Sequence, residues 1–143
     1  MKTLVIDTSV FIKWLNQNNE QNLEAADKIL QDVKAGQVEL VAPELIKYEI
    51  GNVLLKGKQL TQDQAYISLG TAYYLPVTFI SESEQQAKET YSMGYHLGLS
   101  YYDASFMSLA KQYDATLVTD NIKHQGKDPS IKVVALKDYC LPH

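Results

Sequence analysis

The sequence has almost no cysteine and no long hydrophobic segment, and both features narrow the class of protein. Cys140 is the only cysteine among 143 residues, so no internal disulfide can form, which suits a reducing cytoplasm. No apolar run approaches the roughly 20 residues that cross a bilayer. Met1, Lys2 and Thr3 lead directly into a short apolar run, unlike a signal peptide. We therefore expect a cytoplasmic protein without a membrane partner.

Several familiar site patterns are also missing. There is no Gly-rich phosphate loop, no Ser-His-Asp arrangement and no zinc-ligand spacing. The three histidines lack ligand spacing and are expected to be surface or structural residues: His96, His124 and His143. The net charge of −4 argues mildly against broad nucleic-acid binding through phosphate neutralisation. It does not exclude a site that binds divalent cations, because such a site brings its own positive charge.

Alternating strand-like and helix-like segments predict an α/β fold. The length of 143 residues is enough for one domain, 1–143, with a sizeable core. Strands alternating with helices favour a three-layer α/β/α sandwich around a mostly parallel sheet. We predict strands at 3–6, 38–42, 75–80, 117–119 and 131–135, and helices at 10–15, 21–34, 43–57, 61–73, from 81 or 83 to 95, and from 100 onward. Thr8 or Ser9 is expected to cap the first helix, and 141–143 is expected to be a frayed end.

Two aspartates stand where apolar strands end. Asp7 follows the first predicted strand, and Asp120 follows the apolar run Leu117-Val118-Thr119. Open α/β sheets bind ligands at the carboxyl ends of their strands, so the two carboxylates are expected at one edge. The plainer alternative for Asp120 is a turn that it forms with Asn121.

Two further acids lie on apolar helix faces. Glu49 lies one turn after Leu45 and one turn before Val53, inside an apolar stripe where an uncompensated charge is costly. Asp103 heads the apolar stripe of the helix that begins at Ser100. The structural alternatives are that Glu49 reaches solvent at the edge of its stripe and that Asp103 stabilises the helix dipole.

Together the four carboxylates are typical of a cation site. Converging carboxylates raise one another's pKa, and a bound divalent cation removes that repulsion. Oxygen ligands suit Mg²⁺ or Mn²⁺ rather than zinc, and Mg²⁺ often takes further ligands from substrate phosphates. This chemistry points to phosphodiester hydrolysis. Neighbouring polar side chains are expected to orient the acids or a water: Thr8, Ser9, Asn52 and Thr119.

Two other families with an acid at a strand end fit less well. A haloacid-dehalogenase-type phosphatase needs a second Asp two residues after the first, where this chain has Ser9. A response-regulator receiver needs an acidic pair near its first strand, and Asp7 has no acidic neighbour there.

Four motifs in order resemble the PIN domain, and their spacing resembles the VapC-type toxins of prokaryotic toxin–antitoxin pairs. The resemblance covers nearly the whole chain. The motifs are Val5-Ile6-Asp7-Thr8-Ser9, Pro43-Glu44-Leu45-x-x-x-Glu49-Ile50-Gly51-Asn52-Val53-Leu54, Leu99-Ser100-Tyr101-Tyr102-Asp103-Ala104 and Leu117-Val118-Thr119-Asp120-Asn121.

The resemblance implies a Rossmann-like fold and a Mg²⁺- or Mn²⁺-dependent endoribonuclease. It implies that the metal ligands are Asp7, Glu49, Asp103 and Asp120, with Asp120 the position that varies most. It also implies a homodimer and an antitoxin whose C-terminal segment blocks the groove. The alternatives are an RNA-processing nuclease without an antitoxin and a PIN-like module that binds RNA or protein without cleaving.

Two smaller sets of residues are candidates for RNA contact. Tyr101 and Tyr102 adjoin Asp103 and would stack on an unpaired base, although packing in the core or a dimer contact is the plainer role for most of the ten tyrosines. The best candidates for phosphate contact follow Asp120: Lys123, His124 and Lys127.

Overall fold

A five-stranded parallel sheet forms the centre of the molecule. A computed structural model describes residues 1–122 and 127–140. The strands lie in the order β3-β2-β1-β4-β5, and each neighbouring pair is parallel, which confirms the predicted α/β class. Their bounds are β1 (Lys2–Ile6), β2 (Val38–Pro43), β3 (Val77–Ile80), β4 (Thr116–Thr119) and β5 (Val133–Ala135).

Helices cover this sheet and complete the predicted α/β/α sandwich. Helix α6 packs on β1, β2 and β4, α5 packs on α6, and α2 packs on β2. No helix in the described ranges is both long and apolar enough to cross a membrane. The helices are α1 (Thr8–Phe11), α2 (Leu23–Lys34), α3 (Leu45–Asn52), α4 (Gln62–Tyr74), α5 (Glu84–Leu97) and α6 (Tyr101–Gln112).

The two central strands explain where a site can form. Val5, Ile6, Leu117 and Val118 are completely buried, as expected for strands covered on both faces. Ile6 is the register partner of Val118, so the next residues of β1 and β4 emerge side by side. The strand order reverses between β1 and β4, and open α/β sheets bind ligands in the crevice at such a switch point.

The segment after β1 is held firmly against the core. A 3₁₀ turn, Ile12–Trp14, continues α1. The ring of Phe11 packs against Trp14 and Phe79, with centroids 5.7 and 6.2 Å apart. The Trp14 indole N–H donates to the Ala26 carbonyl at 2.9 Å, which ties this segment to α2.

The helix predicted at 43–57 was wrong at its start and changes type before its predicted end at Gly57. Pro43 was expected to open it, but Pro43 is the last residue of β2 and pairs with Ile80. Hydrogen bonding to β3 continues one residue further, since the Glu44 N–H donates to the Ile80 carbonyl at 3.0 Å. At the other end α3 changes into a π-helical turn, Val53–Gly57, in which the Lys58 N–H donates to the Val53 carbonyl.

Two strands are shorter than predicted, and several helix starts are confirmed. Strand β3 begins at Val77 because α4 continues to Tyr74, and β5 begins at Val133 rather than 131. Thr61 forms a reciprocal capping box with Gln64. Serine side chains cap the next two helices, at positions 83 and 100. The frayed end predicted for 141–143 lies outside the described residues, and a single domain over 1–143 stays a prediction.

Candidate functional site

Asp7 has a buried carboxylate that both ends β1 and caps α1. Its Oδ1 accepts hydrogen bonds from the Ser9 hydroxyl at 2.5 Å and the Val10 N–H at 3.3 Å, while Oδ2 accepts from Thr119. Thr8 or Ser9 was predicted to cap this helix, and that was wrong. Asp7 caps it because its extended backbone directly precedes the first helical residue.

The charge on Asp7 is poorly solvated. The residue is only 6% exposed. Burial raises the pKa of its carboxyl to about 6, although hydrogen bonds from Ser9, Thr119 and Val10 act to lower it. The charge of Asp120 raises the pKa further, so the two carboxylates are electrostatically coupled. A cation at this edge would relieve both the desolvation and the repulsion.

Two hydroxyl side chains join the ends of β1 and β4. Ser9 accepts a hydrogen bond from the Asp120 N–H at 3.0 Å while its own hydroxyl donates to Asp7. Thr119 accepts from the Asn121 N–H at 2.8 Å while donating to Asp7. Each hydroxyl therefore fixes the Asp7 carboxylate and the chain beyond β4 at the same time.

Glu49 and Asp103 form a second acidic pair. The Thr8 hydroxyl donates to Glu49 Oε1 at 2.6 Å, which connects α3 to the start of α1. Burial raises the pKa of Glu49, the bond from Thr8 lowers it, and the charge of Asp103 raises it. Glu49 is half-buried, so it neither sits in the apolar core nor extends freely into solvent. Asp103 lies in the first turn of α6, partly buried.

Two of the four acids, Glu49 and Asp120, line an open groove of about 710 Å³. Two exposed aromatic side chains line it, Tyr48 (79% exposed) and Tyr102 (58% exposed). Tyr101 is engaged elsewhere, since its hydroxyl donates to Glu82 at 2.7 Å, and burial together with Glu82 raises its pKa to about 12. The polar lining consists of Thr8, Ser9, Glu20, Glu49, Asn52 and Asp120.

A chain of ion pairs beside the groove was not predicted. Lys13 Nζ lies 2.6 Å from Asp120 Oδ2 and 2.9 Å from Glu20 Oε1, and Lys58 Nζ lies 2.6 Å from Glu20 Oε2. The sequence feature that could have indicated these ion pairs is a lysine, Lys13, within the otherwise apolar run Val10-Phe11-Ile12-Lys13-Trp14-Leu15. Nothing in the sequence links Glu20 or Lys58 to it.

The four predicted acids do not form a closed ligand cage. Within residues 1–122 and 127–140, no group of three or more His, Cys, Asp or Glu side chains is arranged to hold a metal ion. Instead, the charge of Asp120 acts on the Asp7 carboxyl and the charge of Asp103 acts on Glu49, and in each case it raises the pKa of the affected group. Every donor in these pairs is an oxygen, the ligand type that Mg²⁺ and Mn²⁺ prefer.

Of the three residues predicted to contact phosphate, the structure describes Lys127, and this residue lies away from the groove. Lys127 donates to the Leu97 carbonyl at the end of α5, at 3.5 Å. Lys123 and His124 lie outside the described residues. His96 is exposed on α5, with its ring nitrogen 2.7 Å from the Ser92 carbonyl.

The fold and the position of the acids define a Rossmann-like domain with carboxylates at its switch point. The PIN domain family matches residues 4–127. The chain therefore belongs to the PIN domain family. No curated protein matches the sequence significantly.

Solved structures share this fold at low sequence identity. VapBC2 from Rickettsia felis, bound to a promoter DNA fragment, matches with a TM-score of 0.72 and 18% identity over 93% of this chain and 98% of that chain. DNA-bound VapBC from Salmonella typhimurium matches with a TM-score of 0.68 and 14% identity, over 95% of this chain and 99% of that chain. VapC20 from Mycobacterium tuberculosis, a sarcin-ricin-loop-cleaving toxin, matches with a TM-score of 0.62 and 10% identity, over 80% of this chain and 86% of that chain.

Proposed function

We propose that this protein is a metal-dependent endoribonuclease and the toxin of a toxin–antitoxin pair. The observation that carries the proposal is the poorly solvated Asp7 carboxylate at the switch point between β1 and β4. The charge of Asp120 raises the pKa of Asp7, and Asp120 lines an open groove together with Thr8 and Ser9, the two residues that follow Asp7. Membership of the PIN domain family supports the same activity.

The donor set fits Mg²⁺ or Mn²⁺. Magnesium binds through one or two carboxylates and keeps several waters, so two separate acidic pairs suit a hydrated ion better than a closed cage would. When bound, the ion would supply a water of lowered pKa and stabilise charge on the phosphate. The residues that would hold it are Asp7, Glu49, Asp103 and Asp120.

The chain's hydroxyl groups hold these acids in place. Ser9 and Thr119 fix the two oxygens of Asp7, and Thr8 fixes one oxygen of Glu49. Each contact removes rotational freedom from a carboxylate before substrate arrives, which is how neighbouring donors tune a metal site. The Asn52 amide lines the groove and would orient a water or the substrate.

The groove favours unpaired RNA. Tyr48 and Tyr102 present exposed rings beside the acids, and aromatic rings stack on bases that are not already paired. The chain's net charge of −4 provides little general attraction for a phosphate backbone. We therefore propose that substrate is recognised by stacking and by metal–phosphate contact.

The partner proposed for this chain is a small antitoxin protein. Structures of VapBC from two organisms and a toxin–antitoxin complex from Klebsiella pneumoniae share its fold. We also propose a homodimer acting in the cytoplasm. If no antitoxin exists, the same groove would serve an RNA-processing nuclease.

Incubation of purified protein with mixed RNA tests the activity. We expect cleavage with Mg²⁺ or Mn²⁺, none with EDTA, and none by Asp7→Asn. Equal cleavage by the native protein and Asp7→Asn would place the activity elsewhere. Absence of cleavage by a folded protein that binds Mn²⁺ would favour the non-catalytic binding module.

Growth measurements test the toxin assignment separately. Induced expression of the native chain in a bacterium is expected to arrest growth, and Asp7→Asn is expected to leave growth unchanged. Co-expression of a short reading frame adjacent to the gene should restore growth. Active RNA cleavage without growth arrest would favour the RNA-processing nuclease.

A further inference from the structure

Lys13 is a nearly fully buried cation beside the groove. Only 3% of its side chain is exposed. A buried ammonium is costly unless it is paired and hydrogen-bonded, and Lys13 contacts the carboxylates of both Asp120 and Glu20. Burial lowers the pKa of Lys13, but these contacts outweigh burial and raise the pKa above its ordinary value of 10.5.

The position of the Lys13 ammonium is defined by its surroundings. Lys13 lies in the 3₁₀ turn that follows α1, between residues packed into the core. Glu20 accepts from Lys13 with Oε1 and from Lys58 with Oε2, so it bridges the two lysines. Lys58 also donates to the Asn18 carbonyl, which fixes the loop that carries Glu20. The ammonium is therefore held from several sides.

Asp120 depends on this segment for its position. It follows the last residue of β4 and is itself exposed. Its backbone N–H donates to Ser9, and its Oδ2 pairs with Lys13 at 2.6 Å. Ser9 and Lys13, which make these two contacts, both belong to the segment after β1. Among the described residues, the ion pair with Lys13 is made by the Oδ2 atom of the Asp120 carboxylate.

The ion pairs also balance charge. Lys58, Glu20, Lys13 and Asp120 alternate in sign and sum to zero. The charge of Asp120 is thereby compensated inside the protein. Within the described residues, Asp7 and Glu49 accept hydrogen bonds from hydroxyl groups, and neither they nor Asp103 forms an ion pair with a lysine. The net negative charge available to a cation comes from those three acids.

We propose that Lys13 is a positioning residue for Asp120. It holds Asp120 Oδ2 so that the carboxylate stays at the groove, and it offsets the charge of that carboxylate so that most of the negative charge for cation binding comes from Asp7, Glu49 and Asp103. This inference rests on the proposed nuclease function. It adds a fifth residue to the site, one that acts through Asp120 and touches neither metal nor RNA.

A double-mutant cycle tests this role. The variants are Lys13→Met, Asp120→Asn and the double substitution, with Lys28→Met as matched control because Lys28 makes a 2.6 Å pair with the buried Asp32 away from the groove. The single-turnover cleavage rate of Lys13→Met is expected to fall at least about tenfold. The double variant should cleave no more slowly than Asp120→Asn, since a residue that acts through Asp120 has no effect once Asp120 is changed.

Calorimetric Mn²⁺ titration gives a readout that does not depend on cleavage. Removal of a positive charge close to the acids should tighten Mn²⁺ binding to Lys13→Met by about tenfold. Lys28→Met should bind Mn²⁺ as the native protein does, even though its melting temperature falls. A purely structural role for Lys13 would weaken both cleavage and Mn²⁺ binding.

Several outcomes would overturn the inference. They are cleavage by Lys13→Met within twofold of the native rate, Mn²⁺ binding that is unchanged or weaker, or a double variant far slower than Asp120→Asn. If Lys13→Met fails to fold, the double variant, which removes both charges of the pair, is compared with Asp120→Asn. If the native protein cleaves no RNA, the nuclease proposal fails, and the Mn²⁺ titration alone decides the role of Lys13.

Discussion

At the scale of single residues, the buried charge of Asp7 lowers the stability of the fold, and the same charge is proposed to bind the metal ion. Its carboxylate caps α1 and accepts three hydrogen bonds, yet burial holds its pKa at about 6 rather than 3.8. At pH 7.5 the group is ionised in both folded and unfolded chains, so burial destabilises the fold. As the pH falls through about 6 the folded carboxyl binds a proton first, and stability rises.

Asp7→Asn is therefore expected to stabilise the metal-free protein. At pH 7.5 the gain in free energy of unfolding should be about 2 kcal/mol, because a neutral amide avoids the desolvation of the charge. The gain should largely vanish near pH 4.5, where the native carboxyl is protonated. Urea unfolding curves of both proteins, recorded in EDTA at the two pH values, measure this gain in free energy of unfolding. A variant that is less stable at pH 7.5 would show that the hydrogen bonds to Asp7 outweigh its burial.

Tyr102→Ala tests recognition of unpaired bases. Loss of one stacked base is worth about 1–3 kcal/mol, so KM for single-stranded RNA should rise about tenfold or more. The turnover number should change little, since the acids remain in place. Tyr91→Ala is the control, because Tyr91 is similarly exposed but lies on α5 outside the groove. A fall in turnover with constant KM would contradict a stacking role.

The positions of two acids could be predicted because each follows an apolar strand, whereas their role in a metal site stays a prediction. Asp7 and Asp120 were visible because each ends a buried strand, and the parallel sheet brings those ends together. The contacts from Thr8 to Glu49 and from Lys13 to Asp120 were not predictable. They join residues distant in sequence, and only the packing of α1 against its neighbours determines them.

At the scale of secondary-structure elements, one contact fastens the end of the described chain to α2. The Tyr139 hydroxyl donates to Asp32 Oδ2 at 2.7 Å, and Lys28 contacts Oδ1 of the same carboxylate at 2.6 Å. Burial acts to raise the pKa of Asp32, but these partners outweigh it and lower the pKa. The lowered pKa means that Asp32 stabilises the fold above about pH 4 and loses that contribution as the pH falls further.

Tyr139→Phe is expected to loosen this attachment. A hydrogen bond to a buried carboxylate is worth about 1–2 kcal/mol, which corresponds to a fall in melting temperature of roughly 3–8 °C at pH 7. The difference from the native protein should shrink below pH 4 as Asp32 is protonated. Thermal melts at both pH values are compared with those of Tyr91→Phe. The same loss at every pH would point to packing rather than to the hydrogen bond.

Element types were easier to predict than element ends. Periodicity identified the strands and helices, but local propensity misplaced Pro43, which suits the first turn of a helix as well as the end of a strand. The structure ends β2 at Pro43 because β3 continues to pair alongside it. The change from α3 to a π-helical turn at Val53 likewise had no sequence signal.

At the scale of the whole molecule, strand order concentrates charge at one edge. The reversal between β1 and β4 brings Asp7 and Asp120 together, and helices α3 and α6 supply Glu49 and Asp103. The order of the strands could not be derived from periodicity alone. The resemblance to the PIN domain implied a Rossmann-like fold with a parallel sheet, and the family match to residues 4–127 now shows that the chain belongs to this family.

Bound metal should stabilise the native fold as a whole. A ligand present at about 100 times its dissociation constant adds ~2.7 kcal/mol to the free energy of unfolding. Mn²⁺ is therefore expected to raise the melting temperature of the native protein and to leave that of Asp103→Asn nearly unchanged. Differential scanning fluorimetry with and without EDTA measures the shift. An equal shift in both proteins would place the bound ion outside the proposed site.

The most direct measurement is an anomalous diffraction map from crystals soaked in Mn²⁺. We predict a peak about 2.0–2.2 Å from carboxylate oxygens of the four acids, with Asp7 and Asp103 among its ligands. The two acidic pairs would then be parts of one site, joined by the ion. A well-ordered groove without a peak, or a peak only at other residues, would contradict the proposal that these acids form a metal-dependent nuclease site.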